Sequence, residues 1–168
     1  MGARERKWEA RIGELIVYPA HGVGRLEAVR KQEIAGKILD LLVVRMLEDD
    51  SRILVPRENA VRVGLRGVMK RDDAARIWEI LGARVRKRRG GVTWSRQFRE
   101  YQDKLKSGSV FEIAEVLRDL LRLQREKELS FGERRVLDSA RSLLVQELAA
   151  AQNEQADSVE AQIKELVR

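Results

Sequence analysis

The sequence contains no cysteine, one histidine, two prolines and only 5% aromatic residues among 168. Without cysteine there is no disulfide framework, thiol nucleophile, iron–sulfur cluster or thiolate zinc site. A single histidine excludes the two-histidine metal motifs and leaves the usual triads without a base beyond His21. The longest apolar runs, such as Leu41–Val44, are far too short to span a bilayer. The opening MGARERKWEARIG is charged and is followed by no apolar stretch of secretory type, so a soluble, cytoplasmic protein is expected. The length suits one large or two small domains with a real core.

What the chain has is positive charge, concentrated in one place. The net charge is +7, from 34 basic and 27 acidic residues. Residues 84–106 hold nine of the bases (Arg84, Arg86, Lys87, Arg88, Arg89, Arg96, Arg99, Lys104 and Lys106) and only Glu100 and Asp103 as acids. The remaining 25 basic and 25 acidic groups cancel. A chain neutral apart from one stripe carries the electrostatic footprint of a polyanion-binding protein. The bland alternative is a solvated basic loop.

Two halves differ in period. Residues 14–63 read as short strands: 14–19, 24–29, 38–47, 52–56 and a candidate fifth at 60–63. Turn signals fall between them at HGVG, Ala35–Gly36 and Glu48–Ser51, which suggests a small antiparallel sheet or barrel. From about residue 70 the pattern becomes helical. Helices are expected at 71–82, 93–106, 110–128 and 131–151, with a last short one capped by Asp157. Ser109 with Glu112, and Ser130 with Glu133, have capping-box spacing. The fold class is therefore α+β: a charged leader over 1–11, a β domain over 12–66 and a helical domain of about five helices over 70–168.

One segment concentrates the chemistry: GGVTWSRQFR, residues 90–99. Trp94 falls near a helix start, behind a run of cations, and Arg96 and Arg99 share a helical face. An aromatic flanked by cations can stack on a base or wedge between base steps while the cations hold phosphate. Trp94, Phe98, Tyr101 and Leu105 also recur at i, i+4, i+7 and i+11, the spacing of a core stripe. On spacing alone both readings stand. Trp78 reads as core. His21, between Pro19 and Gly22, reads as a turn residue, and Asp49–Asp50 and Asp72–Asp73 as turn and helix-start residues. HGVGR lacks the Lys-Ser/Thr of a phosphate loop. No credible active site emerges, so no enzyme, cofactor, metal or small-molecule substrate is expected.

VYPAHGVG (17–24), ILVPRENAVRVGLR (53–66), TWSRQF (93–98) and the stretch SGSVFEIAEVLRDLLRL…LSFGERRVLDSARSLLVQEL (107–148) together resemble the CarD/CdnL family of bacterial transcription regulators, nearer the CdnL type. The resemblance covers residues 12–150. It implies a Tudor/SH3-like β domain that docks on the β subunit of RNA polymerase, and a compact helical domain that touches promoter DNA at the upstream edge of the transcription bubble. It implies that Trp94 wedges into the minor groove there and that Arg96, Arg99 and, on a later helix, Arg134 contact DNA. The basic residues Arg86, Arg88, Arg89 and Lys104 join them as candidate DNA contacts on charge. Docking on polymerase is implied for the strands around Val44 and for Arg52, Leu54 and Pro56. Gln32 and Leu54 stand where some members carry arginine, which shifts docking toward apolar or strand-edge contact. The rival expectations are a protein-interaction adaptor without DNA contact, with Trp94 in its core, and an RNA-binding protein.

Overall fold

A computed structural model describes residues 8–84 and 93–167. The chain divides into two compact units, Met1–Val68 and Met69–Arg168. The expected candidate contacts Arg86, Arg88 and Arg89 lie outside the described residues.

The first unit is one antiparallel sheet of five strands in the order β4-β3-β2-β1-β5. Its strands are β1 (Leu15–Tyr18), β2 (Gly22–Ile34), β3 (Lys37–Met46), β4 (Arg52–Pro56) and β5 (Arg66–Gly67). The turn from β1 to β2 places Ala20 at φ 65° and Gly22 at φ 105°, and the His21 N–H donates to the Tyr18 carbonyl at 2.9 Å. His21 is thus a turn residue, its ring stacked on Tyr18 with centroids 4.4 Å apart. Gly24 answers a different need. A Cβ there would lie 2.6 Å from Val44 Cγ1 and 3.1 Å from the Arg45 carbonyl oxygen, so β2 and β3 approach this closely only over a bare α-carbon. Ala35 and Gly36, both at positive φ, close the β2–β3 hairpin as a two-residue primed turn.

The strand expected at residues 60–63 is not formed. A 3-10 turn at Arg57–Asn59 carries the chain into further turns, with the Leu65 N–H donating to the Ala60 carbonyl at 2.9 Å. The alternation in AVRV serves to drop Ala60 into the core while Val61 stays exposed. The fifth strand comes later, where Arg66 and Gly67 pair with Val17 and Ile16. The core collects Ile16, Leu26, Leu42, Val44, Met46, Val55, Ala60 and Leu65, with Trp8 and Ala10 packed against it. Trp8, in the charged leader, therefore belongs to the sheet's hydrophobic face.

Among the described residues the second unit is helical: α1 (Arg71–Gly82), α2 (Trp94–Lys106), α3 (Val110–Glu126), α4 (Phe131–Gln152) and α5 (Ala156–Leu166). The α+β class expected from sequence is the one observed. α3 packs on α1, α2 and α4 and buries Ile113, Ala114, Val116, Leu117 and Leu120, as its wide apolar arc requires. Both serine caps form. Ser109 Oγ accepts from the Glu112 N–H at 3.5 Å, and Ser130 Oγ from the Glu133 N–H at 3.2 Å. Asp157 does not cap α5: the cap falls two residues earlier, at Gln155, and Asp157 sits in the first turn of the helix. Trp78 is partly buried against the helical core and donates its indole N–H to Gln152 Oε1 at 3.2 Å.

Candidate nucleic-acid interface

α2 is amphipathic, and its apolar stripe sinks along the helix. Leu105 and Tyr101 are buried, Phe98 is half-buried, and Trp94 at the first turn is 52% exposed. A stripe residue escapes the core most easily at a helix end, because the neighbouring element need not extend past it. Trp94 nevertheless has a fixed seat. Its ring stacks on Phe98 with centroids 5.2 Å apart and planes 14° apart. The pair lies over Gly132 of α4, where a Cβ would come within 3.3 Å of Phe98 Cε2 and 3.8 Å of Trp94 Cζ2. A residue with no side chain thus lets two aromatic rings rest on the first turn of α4.

Arg96 and Arg99 are exposed on the same short helix. Arg134 is anchored at the start of α4, donating from Nε to the Leu129 carbonyl at 3.0 Å and from Nη2 to Glu128 Oε1 at 2.8 Å, with its side chain 55% exposed. Lys104 is differently placed. Its ammonium pairs with Glu115 Oε2 of α3 at 2.9 Å and its side chain is only 22% exposed, so its charge serves the α2–α3 contact rather than an outside phosphate.

The first turn of α4 holds its own ionic lock. Glu133 is buried, accepts from the Ser130 N–H at 2.8 Å and pairs with Lys127 Nζ at 3.2 Å. Burial pushes this carboxyl up, but the Ser130 backbone N–H and the Lys127 ammonium outweigh it and hold the group below the ordinary carboxylate range. Two residues at this turn carry no role in the sequence reading. Phe131 opens the helix and is 77% exposed, and Arg135 places its guanidinium carbon 5.8 Å from the Phe131 ring centroid. The serine cap followed by Phe-Gly is the only sequence signal for them: an aromatic at the first helical position beside a glycine.

In the β unit the candidate docking residues separate. Arg52 and Leu54 are exposed on β4, the terminal strand of the sheet, and Pro56 at its end is half-exposed. Arg52 Nε donates to Glu27 Oε2 at 2.8 Å. That bond holds the Glu27 carboxyl below its ordinary value and raises Arg52. Val44 does not belong with them: it is fully buried in the core, paired on β3 between Leu26 and Ile53, and presents no side-chain surface. Among the described residues no group of histidine, aspartate and glutamate is arranged to hold a metal ion, and no helix is long and apolar enough to cross a membrane.

Both halves match known families. Residues 76–164 match the CarD C-terminal domain, and residues 11–69 match the CarD-like/TRCF RID domain. The chain belongs to the CarD family. It is 32% identical over 137 residues to the "Putative transcription factor YdeB" of Bacillus subtilis (strain 168), covering 82% of this chain and 88% of that protein. A solution NMR structure of the 72-residue N-terminal domain of Myxococcus xanthus CarD is similar at 28% identity, covering 40% of this chain and 93% of that domain, with a TM-score of 0.31. The chain is accordingly a CarD-family transcription regulator, and the CarD C-terminal match contains the Trp94–Phe98 stack, its arginines and the first turn of α4.

Proposed function

We propose that this CarD-family regulator docks on RNA polymerase through its β unit and stabilises the open promoter complex with Trp94, placed at the upstream edge of the bubble. The observation that carries the reading is a half-exposed indole, stacked on Phe98 at the start of α2, with Arg96 and Arg99 exposed on the same helix. The adaptor reading needs Trp94 in the core, and its exposure removes that support.

The mechanism is thermodynamic and requires no catalysis or cofactor. An indole inserted into the minor groove unstacks a base step, at a cost of about a few kcal/mol in intact duplex. At an already melting junction much of that cost is absent. A contact made only with open DNA then shifts the closed–open equilibrium by its differential affinity, and about 1.4 kcal/mol shifts it tenfold. Arg96, Arg99 and Arg134 supply phosphate contacts that position the domain without reading sequence. On the β unit, the exposed edge strand with Arg52, Leu54 and Pro56 suits docking on the polymerase β subunit by strand-edge and apolar contact. The protein would act in the cytoplasm, held on the nucleoid by polymerase.

The test compares wild type with Trp94→Ala in the lifetime of polymerase–promoter open complexes after challenge with a competitor. Expected is a shorter lifetime with polymerase binding retained. An unchanged lifetime overturns the proposal.

A further inference from the structure

The surface beside Trp94 carries a second aromatic that the reading above leaves idle. Phe131, at 77%, is the most exposed large apolar side chain among the described residues. The helix start does not need it, because Ser130 and Glu133 already satisfy the cap. It is the chain neighbour of Gly132, the seat of the Trp94–Phe98 stack, so the two aromatics sit at one end of the helical unit. One cation stands beside it: the Arg135 guanidinium carbon lies 5.8 Å from its ring centroid. The other charges at this turn are paired with one another, Glu133 with Lys127 and Glu128 with Arg134.

A flat ring beside a guanidinium group suits a base with its phosphate better than an apolar protein surface, which would have to bury Arg135 without counter-charge. In duplex DNA both faces of each base are covered by neighbouring bases. Only a base released from the stack offers a face to a protein ring. We propose that Phe131 is a second base-stacking residue, receiving an unpaired base of the melted promoter strand next to the junction that Trp94 props. This rests on the reading of Trp94 given above. It adds a contact that exists only with open DNA, and so acts on the same equilibrium in the same direction.

The experiment uses the full chain assembled with RNA polymerase on a promoter. Single 2-aminopurine probes at successive positions along the upstream edge of the bubble report stacking by fluorescence quenching. Phe131→Ala, Phe131→Leu, Phe131→Tyr and Trp94→Ala are compared. Phe131 is outside the core, so the variants should keep the wild-type circular dichroism and melting. Expected for Phe131→Ala is loss of quenching at one probe position and a roughly five-fold shorter open-complex lifetime, the low end of what one stacked base is worth. Phe131→Tyr retains both signals, whereas Phe131→Leu, apolar but without a π face, behaves like alanine. The proposal is overturned if Phe131→Ala leaves lifetime and quenching unchanged, if leucine restores them, or if the loss appears in polymerase binding without DNA. If Trp94→Ala shortens the lifetime and Phe131→Ala does not, only the second contact falls. If neither does, the reading of Trp94 falls with it.

Discussion

Gly132 has no side chain, and two aromatic rings occupy the space one would fill. An alanine Cβ there meets Phe98 at 3.3 Å, a contact the half-buried phenyl can relieve by a small shift. A leucine cannot be relieved so locally. Gly132→Leu is expected to lift Phe98 and Trp94 from α4, with an overpacking cost of about 1–3 kcal/mol, seen as a lower melting temperature and a changed Trp94 emission in a chain whose Trp8 and Trp78 are replaced by Phe. A neighbouring residue predicts a pH dependence. The Glu133 carboxyl titrates below its ordinary value in the folded state. Its contribution is therefore complete above the unfolded-state value, about 4.3, and is lost as pH falls through the lowered folded value. Urea unfolding of Glu133→Gln should show the variant less stable than wild type at pH 7, with the gap closing toward pH 3. A constant gap would show that the charge of Glu133 is not what matters.

At the level of elements, local rules were readable where the forces are local. Ser130 and Glu133 stand three apart and form both halves of a capping box, so α4 was legible to within one residue of its end; Ser109 and Glu112 share that spacing, yet only the serine half of the box forms at α3. The turn at Ala35–Gly36 was equally plain. The failures lie where tertiary packing decides. AVRV alternates like a strand, yet the 3-10 turn before it and Gly64 at φ 79° after it bend the chain away from any partner, and the paired segment falls two residues later. Val44 was a docking candidate only by the family resemblance, which does not show that β3 buries Leu41, Leu42, Val43 and Val44 in succession. The stripe from Leu105 to Trp94 gave its direction but not the point at which it emerges, and Phe131 gave no signal beyond its place after a cap. The glycine in β2 tests the packing argument. Gly24→Ala puts a Cβ against Val44 Cγ1 and the Arg45 carbonyl, one contact of which is backbone and cannot rotate away. A loss of about 2–3 kcal/mol in chemical unfolding of the β unit is expected; a neutral result would mean that β2 and β3 separate at little cost.

For the molecule as a whole, the charge imbalance and the two cores are the governing facts. The +7 excess falls in one segment, and its described exposed members include Arg96 and Arg99 beside the aromatic stack. If the chain contacts promoter DNA as proposed, that binding should weaken steeply with added salt, because each neutralised phosphate releases counterions. Arg96→Ala and Arg99→Ala should each lower the slope of log affinity against log salt by about 1, uniformly across promoter sequences. A slope that stays at its wild-type value in both variants would assign the phosphate contacts elsewhere. The hydrophobic clusters of the two units share no residue. The stacked indole has one more consequence. Braced against a phenyl ring before any encounter, it has few torsional states left to surrender on contact, so the ordering entropy that erodes most aromatic recognition is spent during folding instead.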